Sequence, residues 1–218
     1  MDQGVHAPRP DRFAPAFRDQ LNQLMRWRRD VRHFRPDPVD EALLARCLDA
    51  FRLAPSVGLS EPWRIVRLSS PAARLAARSN FEQANAAALE GYEGEKAALY
   101  PRLKLSGMDS APVQLAIFSD EGTSQGAGLG AATMPEMRRY SVVSAIAMFW
   151  LAVRAEGLGL GWVSVLDPDR LARDLSVPGN WALVAYLCIG WPEVERDHPE
   201  LEEAGWERRA PQLHIEER

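Results

Sequence analysis

The stretch that most restricts this chain is "VVSAIAMFWLAV", Val142 to Val153, inside a longer helical pattern from Met137 to Glu156. Its apolar run is too short to span a bilayer, which takes about 20 residues. A helix apolar on most sides must be enclosed instead, in a core or at a subunit interface. The remaining sequence has to supply the covering layers. At 218 residues it is long enough to do so within one domain.

The rest of the pattern alternates helices with strands. Residues 1–12 read as a flexible polar tail, and 13–218 as one domain. Phe17, Leu21, Leu24 and Met25 recur at helical spacing after Pro15. A second helix is expected from Asp40, its N-cap, through Leu43, Leu44, Cys47, Leu48 and Phe51 to a stop at Pro55. "WRIVRLS", "VQLAIFSD", "GLGLGWVSV" and "WALVAYLCIGW" read as strands. Residues 71 to about 99 read as an interrupted helix and "DPDRLARDL" as a short one. "EGTSQGAGLGAATMPE" is expected to be a mobile glycine-rich loop, and "PQLHI" a final extended segment. Helices outweigh strands, so the class is α+β or α/β.

A formal net charge of −4 argues against nucleic acid or an anionic membrane as a general partner. Cys47 and Cys188 lie in apolar contexts without metal or disulfide spacing, and read as small core residues. The four scattered histidines read as mostly surface groups. The N-terminus lacks an apolar signal core, so a reduced, cytoplasmic setting is expected. No Ser-His-Asp or Cys-His motif and no phosphate loop is present. Gly157, Gly159 and Gly161 do not make a dinucleotide fingerprint, because that motif follows a strand and opens a helix. Here a helix ends, which suits Gly157 as its stop. The later glycines leave room for something flat to approach the strand backbone.

Against the acidic balance, "RWRRDVRHFR" packs five arginines into ten residues, Arg26 to Arg35. Arg28, Arg29 and Arg32 could converge on a phosphate through charge-assisted hydrogen bonds. Composition offers a plainer reading, since 24 of the 26 basic residues are arginine, the exceptions being Lys96 and Lys104. The cluster could also be helix C-terminal cations favoured by the macrodipole. Asp30, in their midst, is either a salt-bridge partner or a carboxylate kept ionised by its neighbours and available as an acceptor or general base.

"RRDVRHF", a helix, and then "APSVGLSEPW" resemble the nitroreductase superfamily of FMN enzymes. Asp30, "APSVG", "RLKLSG", "RAEGLGLGWVSV" and "PELEEAGWERRAP" resemble more narrowly the branch that breaks flavin down to 5,6-dimethylbenzimidazole. The likeness runs from about residue 17 to residue 213. It implies a nitroreductase-like α+β fold with a central mixed or antiparallel sheet flanked by helices, in a homodimer with flavin sites at the subunit interface. It also implies that reduced FMN is itself the substrate, that O2 is co-substrate, and that a separate flavin reductase supplies the reduced flavin. Erythrose 4-phosphate would be released, and no metal is implied.

By position, the resemblance assigns Arg28, Arg29, Val31 and Arg32 to the flavin, the arginines at its phosphate and ribityl end. Asp30 and Ser164 match the catalytic pair and also lie beside the flavin. Pro55, Ser56 and Gly58 would line the ring, Lys104 would bind from a lid segment, and Arg209 is a further phosphate candidate. An Asp and a Ser hydroxyl can move protons between reacting groups. Two positions depart from the family: Glu61, where Gln is common, and "MPEMRRYS", with Arg138 and Arg139. The alternatives are a conventional NAD(P)H-dependent flavin reductase or nitroreductase on the same fold, and a non-catalytic flavin-binding protein.

Overall fold

The computed structural model describes residues 12–218. All but the last residue of the expected tail lies outside the described residues. Helix α1 spans Pro15–Trp27, with Pro at the first helical position, where its missing N–H costs nothing. Helix α2, Glu41–Leu48, is capped by Asp40, whose carboxylate accepts from the Leu43 N–H at 2.8 Å. A break at Asp49 separates it from α3, Ala50–Leu53, where the sequence pattern suggested one continuous helix. Strand β1, Trp63–Arg67, follows a tight turn at Val57–Leu59.

Helices α4, Pro71–Leu89, and α5, Gly94–Leu99, match the interrupted helical region, and α5 leads into a 3-10 turn at Tyr100–Arg102. Strand β2 is Val113–Asp120, α6 Met137–Ala155, β3 Gly159–Val163, α7 Pro168–Asp174, β4 Trp181–Gly190 and α8 Glu200–Glu203. The glycine-rich segment before α6 is a series of hydrogen-bonded turns, and Gln125 Nε2 fastens it to the Leu59 carbonyl at 2.8 Å. The "PQLHI" segment forms no strand; it is exposed, and no strand of its own chain pairs with it among the described residues.

The four strands form one antiparallel sheet in the order β1-β2-β4-β3. Side chains alternate across each strand. On one face Leu115, Ile117, Leu187 and Ile189 pack with α2, α3 and α6. On the other, Ala116, Phe118, Tyr186 and Cys188 pack with Ala77 of α4 and Leu171 of α7. Both central strands are therefore covered on both faces, which explains why "VQLAIFSD" and "ALVAYLCIG" carry few polar residues. Burial pushes the Cys188 thiol up to about 12, as fits an inert core residue.

The apolar helix α6 resolves into two faces. Val142, Ala145, Ile146, Phe149 and Val153 are sealed against the sheet, while Val143 and Tyr140 stay exposed in the single chain. Its end is set by Gly157, at φ +80, a conformation that costs glycine little. The turn drops the chain into β3.

The glycines of β3 answer a different need. The Asp30–Val31 segment bridges β3 at Leu160, and the Val31 N–H donates to the Leu160 carbonyl at 3.0 Å. A Cβ on Gly161 would stand 2.1 Å from the Val31 carbonyl oxygen, and one on Gly159 2.9 Å from Val31 Cγ2. What approaches the strand so closely is thus the chain's own arginine segment. Gly161→Ala is expected to destabilise the protein by about 1–3 kcal/mol, the usual cost of overpacking. Urea denaturation measures it, and an unchanged midpoint would show that the segment can move aside freely.

Candidate active site

The arginine segment leaves α1 and runs along the edge of β3, and each of its side chains takes a separate direction. Arg28 lies over the Trp150 ring of α6, its Cζ 4.6 Å from the centroid. Arg29 donates through Nε and Nη2 to the Asp197 carbonyl, at 3.0 and 2.7 Å. Arg32 donates from Nε to Asp30 Oδ2 at 2.7 Å and from Nη1 to the Lys104 carbonyl at 2.8 Å. Arg35, by contrast, faces Asp37 and Trp191 at the surface.

Asp30 is held at both oxygens: Oδ2 by Arg32, Oδ1 by the Trp162 N–H at 2.7 Å. Its side chain keeps 30% of its surface open. The protein packed around the rest makes burial the leading influence, which pushes the carboxyl above its ordinary range. Arg32 and the Trp162 N–H pull it back only in part, and Glu200 adds to the rise. The charge pattern alone suggested a carboxylate kept ionised by its neighbours. The shift is nonetheless upward, because desolvation outweighs one guanidinium and one amide.

A cavity of about 130 Å³ opens beside Asp30, lined by Arg28, Arg29, Arg32 and Arg209 together with Glu200 and Leu201. A wider hollow next to it adds Arg26. Among the described residues, no carboxylate forms an ion pair with Arg28, Arg29 or Arg209. Burial first, and Arg209 second, lowers the pKa of both Arg28 and Arg29. Four arginines beside two carboxylates, Asp30 and Glu200, leave an excess of positive charge suited to a doubly charged anion such as a phosphate monoester.

The structure thus brings together Arg28, Arg29, Asp30, Arg32 and Arg209. Lys104 joins through its carbonyl on Arg32, while its ammonium faces Asp109 at 3.4 Å. Val31 is anchored to β3. Ser164 is exposed just past β3, two residues, or about 7 Å of strand, beyond the Trp162 N–H that holds Asp30.

Pro55, Ser56 and Gly58 line neither of these two cavities. Their turn is held at the other end of α6, where the Val57 N–H donates to Ser141 Oγ at 3.0 Å. Ser56 Oγ accepts from the Glu61 N–H, and Leu59 and Glu61 both adopt positive φ. The two departing arginines sit nearby: Arg139 pairs with Glu121 at 3.0 Å, and Arg138 is half-buried. Trp150, Trp162 and Glu200 complete the site and escaped sequence reading. A backbone N–H leaves no trace in composition, and Trp150 looked like one more apolar residue of α6.

The sequence profile of the nitroreductase family matches residues 25–191. A 5,6-dimethylbenzimidazole synthase of Rhodospirillum rubrum is 58% identical over 199 residues, covering 91% of this chain and 94% of that protein. One from Rhodobacter capsulatus is 51% identical over 199 residues, covering 91% and 96%. Among solved structures, iodotyrosine deiodinase bound to FMN and 3-iodo-L-tyrosine superposes with a TM-score of 0.70 at 21% identity, covering 91% of this chain and 97% of that one. At that identity the likeness concerns the fold.

The raised Asp30 carboxyl has a consequence for stability. The folded chain holds this proton more tightly than the unfolded chain, so Asp30 contributes most below the ordinary carboxylate pKa of about 4. That contribution is lost as pH rises through the raised folded value. Relative to the non-titrating Asp30→Asn variant, the wild type is expected to lose stability as pH rises from about 4, and then to level off. Urea denaturation of both proteins at pH values from about 4 to 8 tests this; a gap moving the other way would mean that Arg32 outweighs burial.

Proposed function

The chain belongs to the nitroreductase family and acts in it as a 5,6-dimethylbenzimidazole synthase, and we propose that it does so by fragmenting reduced FMN with O2, releasing erythrose 4-phosphate. The observation that carries the chemistry is the Asp30 carboxyl, clamped by Arg32 and the Trp162 N–H, facing a cavity that Arg28, Arg29 and Arg209 also line. Bound in reduced form, the flavin supplies both the electrons for oxygen and the carbon skeleton of the product. No other cofactor and no metal enters the proposal.

Arg28, Arg29 and Arg209 hold the phosphate; among the described residues none of the three forms an ion pair with a carboxylate, which leaves their charge available to it. Arg32 orients Asp30 and, through the Lys104 carbonyl, keeps the lid segment over the site. Asp30 gives and takes protons at Oδ1 or Oδ2. Its raised pKa brings it nearer neutrality, where a carboxyl can serve as both acid and base. Ser164, exposed beyond β3, supplies a hydroxyl for the same proton traffic. Val31 keeps the segment in register on β3 beside the flavin.

Residues 13–218 serve as one flavin domain that works as a homodimer. Along α6, Ser141, beside the Pro55–Gly58 turn, and Trp150, beneath Arg28, are nine residues or about 13 Å apart. That separation supports a site completed across a subunit interface, with Pro55, Ser56 and Gly58 of a second copy lining the ring. The exposed stripe of Phe17, Leu21 and Met25 on α1, with Val143 of α6, provides apolar surface for such a contact. A separate reductase delivers reduced FMN in the cytoplasm; among the described residues no helix is long and apolar enough to cross a membrane.

Purified protein given chemically reduced FMN and air is expected to form 5,6-dimethylbenzimidazole, detected by mass spectrometry. NAD(P)H oxidation with a nitroaromatic, and no such product, would instead favour the conventional reductase. Asp30→Asn and Ser164→Ala are expected to bind FMN while losing product formation by at least about 100-fold, the usual scale of acid–base catalysis. Product formation at the wild-type rate would remove the substituted residue from the mechanism. Leu21→Asp is expected to shift the protein toward monomer in sedimentation velocity, and an unshifted dimer would place the interface elsewhere.

A further inference from the structure

Two stretches of chain reach the arginine cavity from outside, and one aromatic cluster joins them. The first runs from α5 through the Tyr100–Arg102 turn to Lys104, whose carbonyl Arg32 grips at 2.8 Å. The second leaves α8, turns at Gly205 (φ +76), and delivers Arg209 to the cavity wall. Trp206 stands between them. Its ring lies edge-on to Tyr92, at 5.2 Å and 84°, and 6.1 Å from Tyr100. Tyr92 and Tyr100 are 4.8 Å apart, and Lys96 Nζ sits 4.4 Å from the Trp206 ring centroid. These are attractive geometries for aromatic pairs and for a cation over a ring.

The two arms differ in what else holds them. Tyr100 is buried, and its hydroxyl donates to Asn85 Oδ1 of α4 at 2.8 Å, so the first arm is rooted in the body of the protein. The second is not. Its last main-chain hydrogen bond runs from the Trp206 N–H to the Leu201 carbonyl at 2.8 Å. Every residue from Glu207 to Arg218 is exposed. Arg209 follows Trp206 by three residues, so its place against Arg28 and Arg29 depends on that anchor.

We propose that Trp206 is a positioning residue that fixes Arg209 at the phosphate end of the flavin by clasping the C-terminal arm to the Tyr92–Tyr100 stack. This rests on the flavin reading above. It predicts an effect confined to the phosphate, because the clasp touches neither the ring side of the site nor Asp30. A residue needed only for folding would weaken every ligand alike.

The test is titration of FMN and of riboflavin, which has the same ring and ribityl chain without phosphate, by calorimetry with both flavins oxidised. The proteins are wild type, Trp206→Ala, Trp206→Phe, Arg209→Ala and the Trp206→Ala/Arg209→Ala pair. Trp206→Ala is expected to weaken FMN about tenfold, the loss of one charge-assisted contact. It should leave riboflavin within about twofold and add less than about twofold in the Arg209→Ala background. Trp206→Phe should restore most of the FMN affinity. Equal weakening of both flavins, fully additive losses in the double variant, or no loss would each overturn the proposal. Tyr92→Ala removes the more exposed side of the clasp and should show the same FMN-only loss, which decides the matter if Trp206→Ala fails to fold. A wild type that binds neither flavin would overturn the flavin reading itself, and the proposal with it.

Discussion

The close crossing of the Asp30–Val31 segment over β3 is the constraint on which the site depends. The backbone approaches Gly161 so nearly that no side chain could stand there, and the Val31 N–H and Asp30 carboxylate then bond to Leu160 and Trp162. One residue type in the strand thereby fixes a loop on the far side of the sequence. Because the crossing sets the direction of the segment, it also sets where Arg28, Arg29 and Arg32 point. Trp150, on a helix buried for other reasons, receives the first of them.

Charge distribution follows from that placement. Many arginines elsewhere in the chain have carboxylate partners, such as Glu41 for Arg67 or Glu195 for Arg154. At the cavity Arg28, Arg29 and Arg209 do not, among the described residues, and their mutual repulsion is a standing cost that a phosphate would relieve. Exposed ion pairs contribute only about 0–1 kcal/mol each. The unpaired ones are therefore the more informative. Asp30 shows the opposite balance, since it has a partner and yet burial keeps its carboxyl raised. A group held between those two influences is better suited to exchanging protons than one that is fully paired or fully solvated.

How much of this was legible beforehand varies by residue. Asp40 as a cap, Gly157 as a stop and the strand at Val113–Asp120 were readable, because each rests on a local rule of backbone geometry. The break at Asp49 and the unpaired "PQLHI" segment were not, since a helix interruption and a strand both depend on what lies alongside. Arginine abundance left the cluster at Arg26–Arg35 ambiguous. It took the fold to separate Arg28, Arg29 and Arg32, at the cavity, from Arg35 beside Asp37.

By itself the sequence determined most of the elements, their order and, through resemblance, the residues worth watching. Periodicity and capping act over a few residues, so a linear reading captures them. Only the tertiary structure decided that the strand glycines accommodate the chain itself, that desolvation outweighs pairing at Asp30, and that Trp206 packs against Tyr92 and Tyr100. Each of these depends on distances between segments far apart in sequence. Steric exclusion, desolvation and stacking are set by those distances, and no local pattern encodes them.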